Sequence, residues 1–190
     1  ILRAEHNKSL DDYTQHYTFN LSLTQNPTTD TNLEFPQWLS FIHFDKNYEN
    51  AKTYYKKLTE RRSPDQKRNF CNFVYSHPAL LSPRRKFFHC LSLYKEVDSG
   101  GAYLNTSGKI VNKLQYLSLY KFTIAMENSF NEYYTTEKII QPFCVSSIPI
   151  YWGGTNSLQY FNPDTFINTN DKLFDETLEK IEKIDNDDSL

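Results

Sequence analysis

Residues 120–154 read YKFTIAMENSFNEYYTTEKIIQPFCVSSIPIYWGG, and their rhythm decides the fold. Phe122–Met126 is a short, almost wholly apolar run, the mark of a buried strand. Thr136–Val145 then carries apolar residues at helical spacing, and Thr135 or Thr136 can cap its start through a side-chain oxygen. Ile148–Trp152 is a second apolar run, closed by Gly153-Gly154. Strand, helix and strand within about thirty residues describe a βαβ unit, whose strands run parallel.

The same alternation extends outward. Upstream, Phe70–Tyr75 reads as a buried strand and His77–Pro83 as a loop with two prolines. Arg84–Tyr94 reads as a helix through Phe87, Phe88, Leu91 and Tyr94. Val97–Gly108, rich in Gly, Asp, Ser and Asn, reads as a loop, and Lys113–Leu119 as a short helix. Downstream come a helical turn at Leu158–Phe161, an extended run at Thr165–Asn168, and a helix at Asp175–Ile184 with Leu178, Ile181 and Ile184 on one face. This predicts an α/β fold: a parallel sheet with helices on both faces. Nearer the start, Tyr17–Leu21 alternates like a strand. Residues 25–32 form a Thr/Asn/Pro loop. Residues 45–68 are dense in charge, with Tyr48, Ala51, Tyr55 and Leu58 at helical spacing, and read as a solvated helix and linker.

Composition narrows the classes of function. The chain has 190 residues, enough for one domain or one domain plus part of another. A net charge of −2 provides no broad basic field for nucleic acid. Aromatic residues make up 16% of the chain, so a substantial core is available. The three cysteines, Cys71, Cys90 and Cys144, are widely spaced and read as reduced thiols rather than a disulfide or zinc framework. No stretch is apolar for long enough to span a membrane, and no signal peptide is visible. The chain opens on Ile1 without a Met, so its natural start is expected upstream. Sequons at Asn7, Asn20 and Asn105 would matter only in a secreted chain.

Parallel sheets bind ligands beyond the carboxyl ends of their strands. Glu127 and Asn128 fall at such an end, and Glu137 and Lys138 at the start of the next helix. An acid in the first turn suits the helix dipole, so Glu137 has an ordinary structural reading. Lys138 opposes the dipole by a few tenths of a kcal/mol unless an anion lies nearby. Arg84 and Arg85 likewise open a helix behind Pro83, which pre-sets its first turn. Two cationic helix starts on neighbouring strands would make a diphosphate clamp. A solvated lysine beside an ordinary cap is the plain alternative. Neither a P-loop nor GxGxxG is present, which disfavours an ATPase or a dehydrogenase.

Tyr120-Lys121-Phe122, Ala125-Met126-Glu127-Asn128-Ser129, Tyr134-Thr135-Thr136-Glu137-Lys138 and Pro149-Ile150-Tyr151-Trp152-Gly153 closely resemble the C-terminal half of the α-1,3/1,4-fucosyltransferases, glycosyltransferase family 10. The likeness extends over about residues 68–172, taking in Cys71–Ser76, Arg84, Val97–Gly101 and Phe161–Asn168, and is closest to bacterial members. It implies a GT-B enzyme with two Rossmann-like domains. Residues 69–190 would be the GDP-fucose-binding domain, 46–68 a linker helix, and 1–45 the end of an acceptor-side domain. It implies inverting transfer of L-fucose from GDP-fucose to a hydroxyl of N-acetylglucosamine or glucose in an oligosaccharide. It implies no required cofactor, with a divalent metal at most stimulatory. By position, Arg84 and Lys138 would neutralise the diphosphate, and Tyr134 would contact the phosphate region. Glu137 would accept the ribose hydroxyls, and Glu127 and Asn128 would line the site near phosphate and fucose. The Asp98–Gly101 loop, with Asn105, would shape the nucleotide pocket. Glu5, in Ala4-Glu5-His6-Asn7, is the best match to the family's general base, although His6 departs from the usual follower. The expected location is the cytoplasmic side of a bacterial cell, with peripheral membrane association through segments beyond this chain, or the Golgi in a eukaryote.

Other readings remain beside it. The chain could be a truncated, inactive GDP-sugar-binding domain, or an interaction module built on residues 45–68. Asp185-Asn186-Asp187 matches the Asp-x-Asp of metal-dependent transferases but reads as a solvated tail. The histidines His6, His16, His43, His77 and His89 show no metal-ligand spacing.

Overall fold

The computed structural model describes residues 22–43, 56, 68–170 and 172–187. The expected strand at Tyr17–Leu21, nearly all of the 45–68 helix and linker, and Glu5 lie outside them, so the expected boundary at 45 does too.

Five parallel strands form the main sheet, in the order β4-β3-β5-β6-β7. They are β3 (Asn69–Phe73), β4 (Val97–Ser99), β5 (Tyr120–Met126), β6 (Ile148–Trp152) and β7 (Ile167–Asn168). The helices between them are α2 (Arg84–Tyr94), α3 (Lys113–Leu117), α4 (Glu137–Phe143) and α5 (Ser157–Tyr160), and α6 (Phe174–Asp185) follows the last strand. The α/β expectation therefore holds, and the βαβ unit of residues 120–154 is β5-α4-β6.

Alternation along β5 explains why helices cover both faces. Phe122, Ile124 and Met126 pack with Phe87, Phe88 and Leu91 of α2 and Ile181 of α6. Ala125, on the opposite face, packs with Ile139 of α4, Tyr151 and Phe166. Each of these Phe, Ile, Leu and Met side chains, fully buried, contributes about 1.5–3 kcal/mol. Among the described residues no helix is long and apolar enough to cross a membrane.

Four elements escape the sequence reading. β4 occupies the start of the stretch read as a loop; its Val97 is buried, and Val97–Ser99 pairs with Cys71–Phe73. Three residues are too few to show a periodicity. β1 (Ser22–Thr24) and β2 (Asn32–Glu34) form a small parallel pair, followed by α1 (Gln37–His43). Polar side chains hold that pair together. Asn32 is buried; its Oδ1 accepts from the hydroxyls of Ser22 and Thr24, and its Nδ2 donates to the carbonyls of Asn26 and Pro27. Such a device leaves no hydrophobic pattern.

The Asp185-Asn186-Asp187 segment is not a free tail. Asp185 Oδ2 accepts from Lys95 Nζ at 2.9 Å and from the Tyr94 hydroxyl at 3.1 Å. Lys121 Nζ donates to the carbonyl of Ile184 at 2.6 Å, where it caps the end of α6.

The strand order places the site. From β3 the chain moves outward to β4, then returns across β3 to β5. The crevice that this reversal opens at the carboxyl ends of β3 and β5 is where open α/β sheets bind ligands.

Candidate functional site

A cavity of about 530 Å³ occupies that crevice. Val74–His77, just past β3, and Asn128 and Ser129, just past β5, form its floor. Arg84 at the start of α2, Lys113 at the start of α3, and Glu137, Lys138 and Gln141 along α4 form its polar walls.

Arg84 is held in a single orientation. The residue is 1% exposed. Its guanidinium donates to Asn128 Oδ1 at 2.8 Å and to the carbonyls of Pro78 and His77, and it lies 4.2 Å from the centre of the Tyr75 ring. Tyr75 is braced in turn: its hydroxyl donates to the Ile124 and Met126 carbonyls and accepts from the Met126 N–H. Burial lowers the guanidinium pKa, but an arginine remains protonated at any ordinary pH. A fixed cation thus borders the cavity with no carboxylate paired to it through an ion bridge among the described residues.

Lys138 sits in a different setting. Its ammonium lies 3.0 Å from Glu127 Oε2, 3.0 Å from Thr136 Oγ1 and 3.5 Å from Glu137 Oε1. Glu127 is wholly buried and also accepts from the Thr136 N–H and hydroxyl, each at 2.8 Å. Thr136 is the N-cap of α4, as the sequence suggests. Burial pushes the Glu127 carboxyl up, against the pull of Lys138. Burial also pulls Lys138 down, but the carboxylates of Glu127 and Glu137 outweigh it and hold the ammonium above its ordinary value. For Glu137 burial acts upward, and Lys138 and Lys113 together win, so its carboxyl stays below the usual range.

Of the residues expected to bind a donor, Arg84, Asn128, Glu137 and Lys138 border the cavity together. Glu127 and Tyr134 do not border it; both are buried, Glu127 against Lys138. Asn105 also stands apart, and its side chain ties the loop by bonding to Gly101 and Gly108. Arg85 is exposed and off the cavity, so of the cations named from the sequence Arg84 and Lys138 face it, and Lys113 joins them. His77 reaches the cavity. Glu5 lies outside the described residues. The sequence reading missed Tyr75, Lys113 and Gln141. Gln141 was findable, because it follows Glu137 by four residues and so shares its helix face. Lys113 sits far off in sequence and carries no local signal.

Comparison with known proteins agrees with this geometry. The profile described as "Glycosyltransferase family 10 (fucosyltransferase) C-term" matches residues 64–190. The alpha-(1,3)-fucosyltransferase FucT of Helicobacter pylori is 41% identical over 117 residues, which is 60% of this chain and 24% of that protein. The chain thus spans about a quarter of that relative's length. A crystal structure of an alpha1,3-fucosyltransferase with GDP-fucose superposes with a TM-score of 0.78 at 26% identity, covering 98% of this chain and 62% of that one. A structure of an alpha1,3-fucosyltransferase with GDP gives 0.72 at 27% identity, covering 90% and 58%.

Proposed function

This chain belongs to glycosyltransferase family 10, the fucosyltransferases, and we propose that it holds GDP-fucose for inverting transfer of L-fucose to an oligosaccharide, as the donor half of an α-1,3/1,4-fucosyltransferase of GT-B type. The observation that carries this reading is the meeting of Arg84, Lys138 and Glu137 at one cavity on the switch point of the sheet. Two cations suit a diphosphate, and a carboxylate beside them suits a vicinal diol such as ribose.

In this reading the diphosphate lies between Arg84 and Lys138. The Glu137 contact to Lys138, at 3.5 Å, is the loosest of the three on that ammonium. A phosphate oxygen takes its place, and Glu137 turns to the ribose hydroxyls. Asn128, fixed by Arg84, faces the sugar end. Transfer breaks the bond between the fucose anomeric carbon and the β-phosphate oxygen, and the electron pair leaves with GDP. The acceptor hydroxyl oxygen bonds to the anomeric carbon from the opposite side, and its proton passes to a carboxylate. Arg84 and Lys138 stabilise the charge that grows on the departing diphosphate. Glu5 is the proposed base. The acceptor is an oligosaccharide bearing N-acetylglucosamine or glucose. The leaving group is stabilised by side-chain cations, so transfer is expected to survive a chelator.

Calorimetric titration with GDP-fucose, GDP-mannose and UDP-galactose tests the donor assignment. Selective heat with GDP-fucose, lost in Lys138→Ala, is the expected result. A folded sample that gives no heat with any of the three would overturn the assignment. In the full-length enzyme, Glu5→Gln should remove transfer while leaving donor binding intact.

A further inference from the structure

We infer that Trp38 is a positioning residue: from outside the cavity it holds the turn that carries Lys138, so that α1 sets how firmly a diphosphate is gripped; this rests on the donor-site reading above. Trp38 does not border the cavity. It is the second residue of α1, where a helical N–H has no partner within its own helix. That N–H donates at 3.1 Å to the Thr135 carbonyl. Thr135 is wholly buried; its hydroxyl donates to Asn156 Oδ1 at 2.6 Å and accepts from the Tyr151 hydroxyl at 3.3 Å. Thus α1, the start of α5 and β6 each hold Thr135 by one bond. Thr136 comes next in the chain. Its N–H donates to Glu127 at 2.8 Å, and its Oγ1 accepts from the Lys138 ammonium at 3.0 Å. One peptide link therefore joins the residue anchored by Trp38 to the residue that seats the cavity's lysine.

The indole makes the second hold. Its ring centre lies 5.7 Å from Tyr160, the last residue of α5, and 5.2 Å from Phe161. Phe161 lies 5.6 Å from Phe143, the last residue of α4. The Tyr160 hydroxyl also donates to Glu34 of β2, four residues before Trp38, so this segment is bound to Tyr160 at two points. The indole N–H is buried and has no hydrogen-bond partner among the described residues. Position 38 then requires the ring's apolar area rather than its polar group, and phenylalanine can supply that area. A backbone hydrogen bond fixes its acceptor only as well as its donor is fixed. Without the ring, α1 loosens, the Thr135 carbonyl loses a fixed donor, and the turn before Lys138 gains freedom. Binding a diphosphate between Arg84 and Lys138 must then remove that freedom again, which weakens the binding.

Hydrogen exchange in the free chain, and its titration with GDP and inorganic pyrophosphate, test this on Trp38→Ala, Trp38→Phe, Leu178→Ala and Lys138→Ala. Leu178 packs on the opposite core from α6, so its truncation destabilises the chain away from the turn. In Trp38→Ala the Thr136 amide should exchange about tenfold faster while the Ile124 amide of β5 keeps its rate. Both diphosphates should bind that variant about tenfold more weakly. Trp38→Phe should restore both properties. Leu178→Ala should lower the Tm and change neither. Thermal melts confirm folding, and Trp38→Leu, which keeps apolar bulk without a ring, replaces Trp38→Ala if that variant is unfolded. An unchanged Thr136 rate, unchanged diphosphate affinity, or an equal weakening in Leu178→Ala would overturn the inference. If GDP binding is then still lost in Lys138→Ala, the donor-site reading survives that failure. No binding of either diphosphate to the unaltered chain would overturn both.

Discussion

Glu127 Oε2 lies 3.0 Å from the Lys138 ammonium, and the carboxylate is wholly buried while the lysine side chain is 13% exposed. The pair joins the end of β5 to the first turn of α4, so the cation that faces the cavity is anchored by an anion that does not. Removing one partner of a buried pair strands the other, at a cost of about 3–5 kcal/mol. Lys138→Met should therefore lower stability by that amount. The double variant Glu127→Gln, Lys138→Met should recover much of it. Urea unfolding of the four proteins measures this coupling, and additive losses would mean that the two groups do not act as a pair.

Arg84 should not tolerate lysine. Three acceptors, Asn128 Oδ1 and the carbonyls of His77 and Pro78, share one guanidinium. An ammonium on a flexible stem keeps the charge but not the fork. Arg84→Lys should cost about 2–3 kcal/mol in unfolding through the acceptors left unpaired. GDP affinity should fall about tenfold, since the remaining cation is no longer held in place. Calorimetry and unfolding on one sample read both effects.

Glu137 sets a pH dependence. Lys138 and Lys113 hold its carboxyl below the usual range when folded, so the unfolded chain takes up the proton first. Its contribution to stability is present above the unfolded value of about 4.3 and is lost as pH falls through the folded value. Glu127, held up by burial, has the opposite sign. Comparing the chain with Glu137→Gln cancels that background. The variant should show a shallower loss of stability below about pH 4.3 when Tm is followed against pH.

Two glycines should respond very differently to alanine. A Cβ on Gly101 would lie 2.1 Å from the Tyr75 carbonyl oxygen and 2.4 Å from its nitrogen, where neither backbone can yield without moving the residue beneath Arg84. Gly101→Ala should cost about 3 kcal/mol, the upper end for overpacking, or prevent folding. Gly108 has a φ of +78° but nothing within 4 Å of its added Cβ, so Gly108→Ala should cost only about 1 kcal/mol, from backbone strain. Thermal melts distinguish the two.

The sequence by itself determined the strand–helix–strand unit of residues 120–154, because burial on a sheet and on a helix impose different spacings of apolar residues. It also pointed to Lys138, since a cation at a helix start is a local anomaly that needs only neighbouring residues to be seen. Tertiary structure decided which cations share a cavity. Arg84 turns inward because Asn128, 44 positions away, accepts from it, while Arg85 beside it points to solvent. It also placed Glu127 behind the wall rather than in the site, and brought Lys113 and Gln141 to the same cavity. Such meetings depend on strand order, in which β5 returns across β3, and no local periodicity encodes that order.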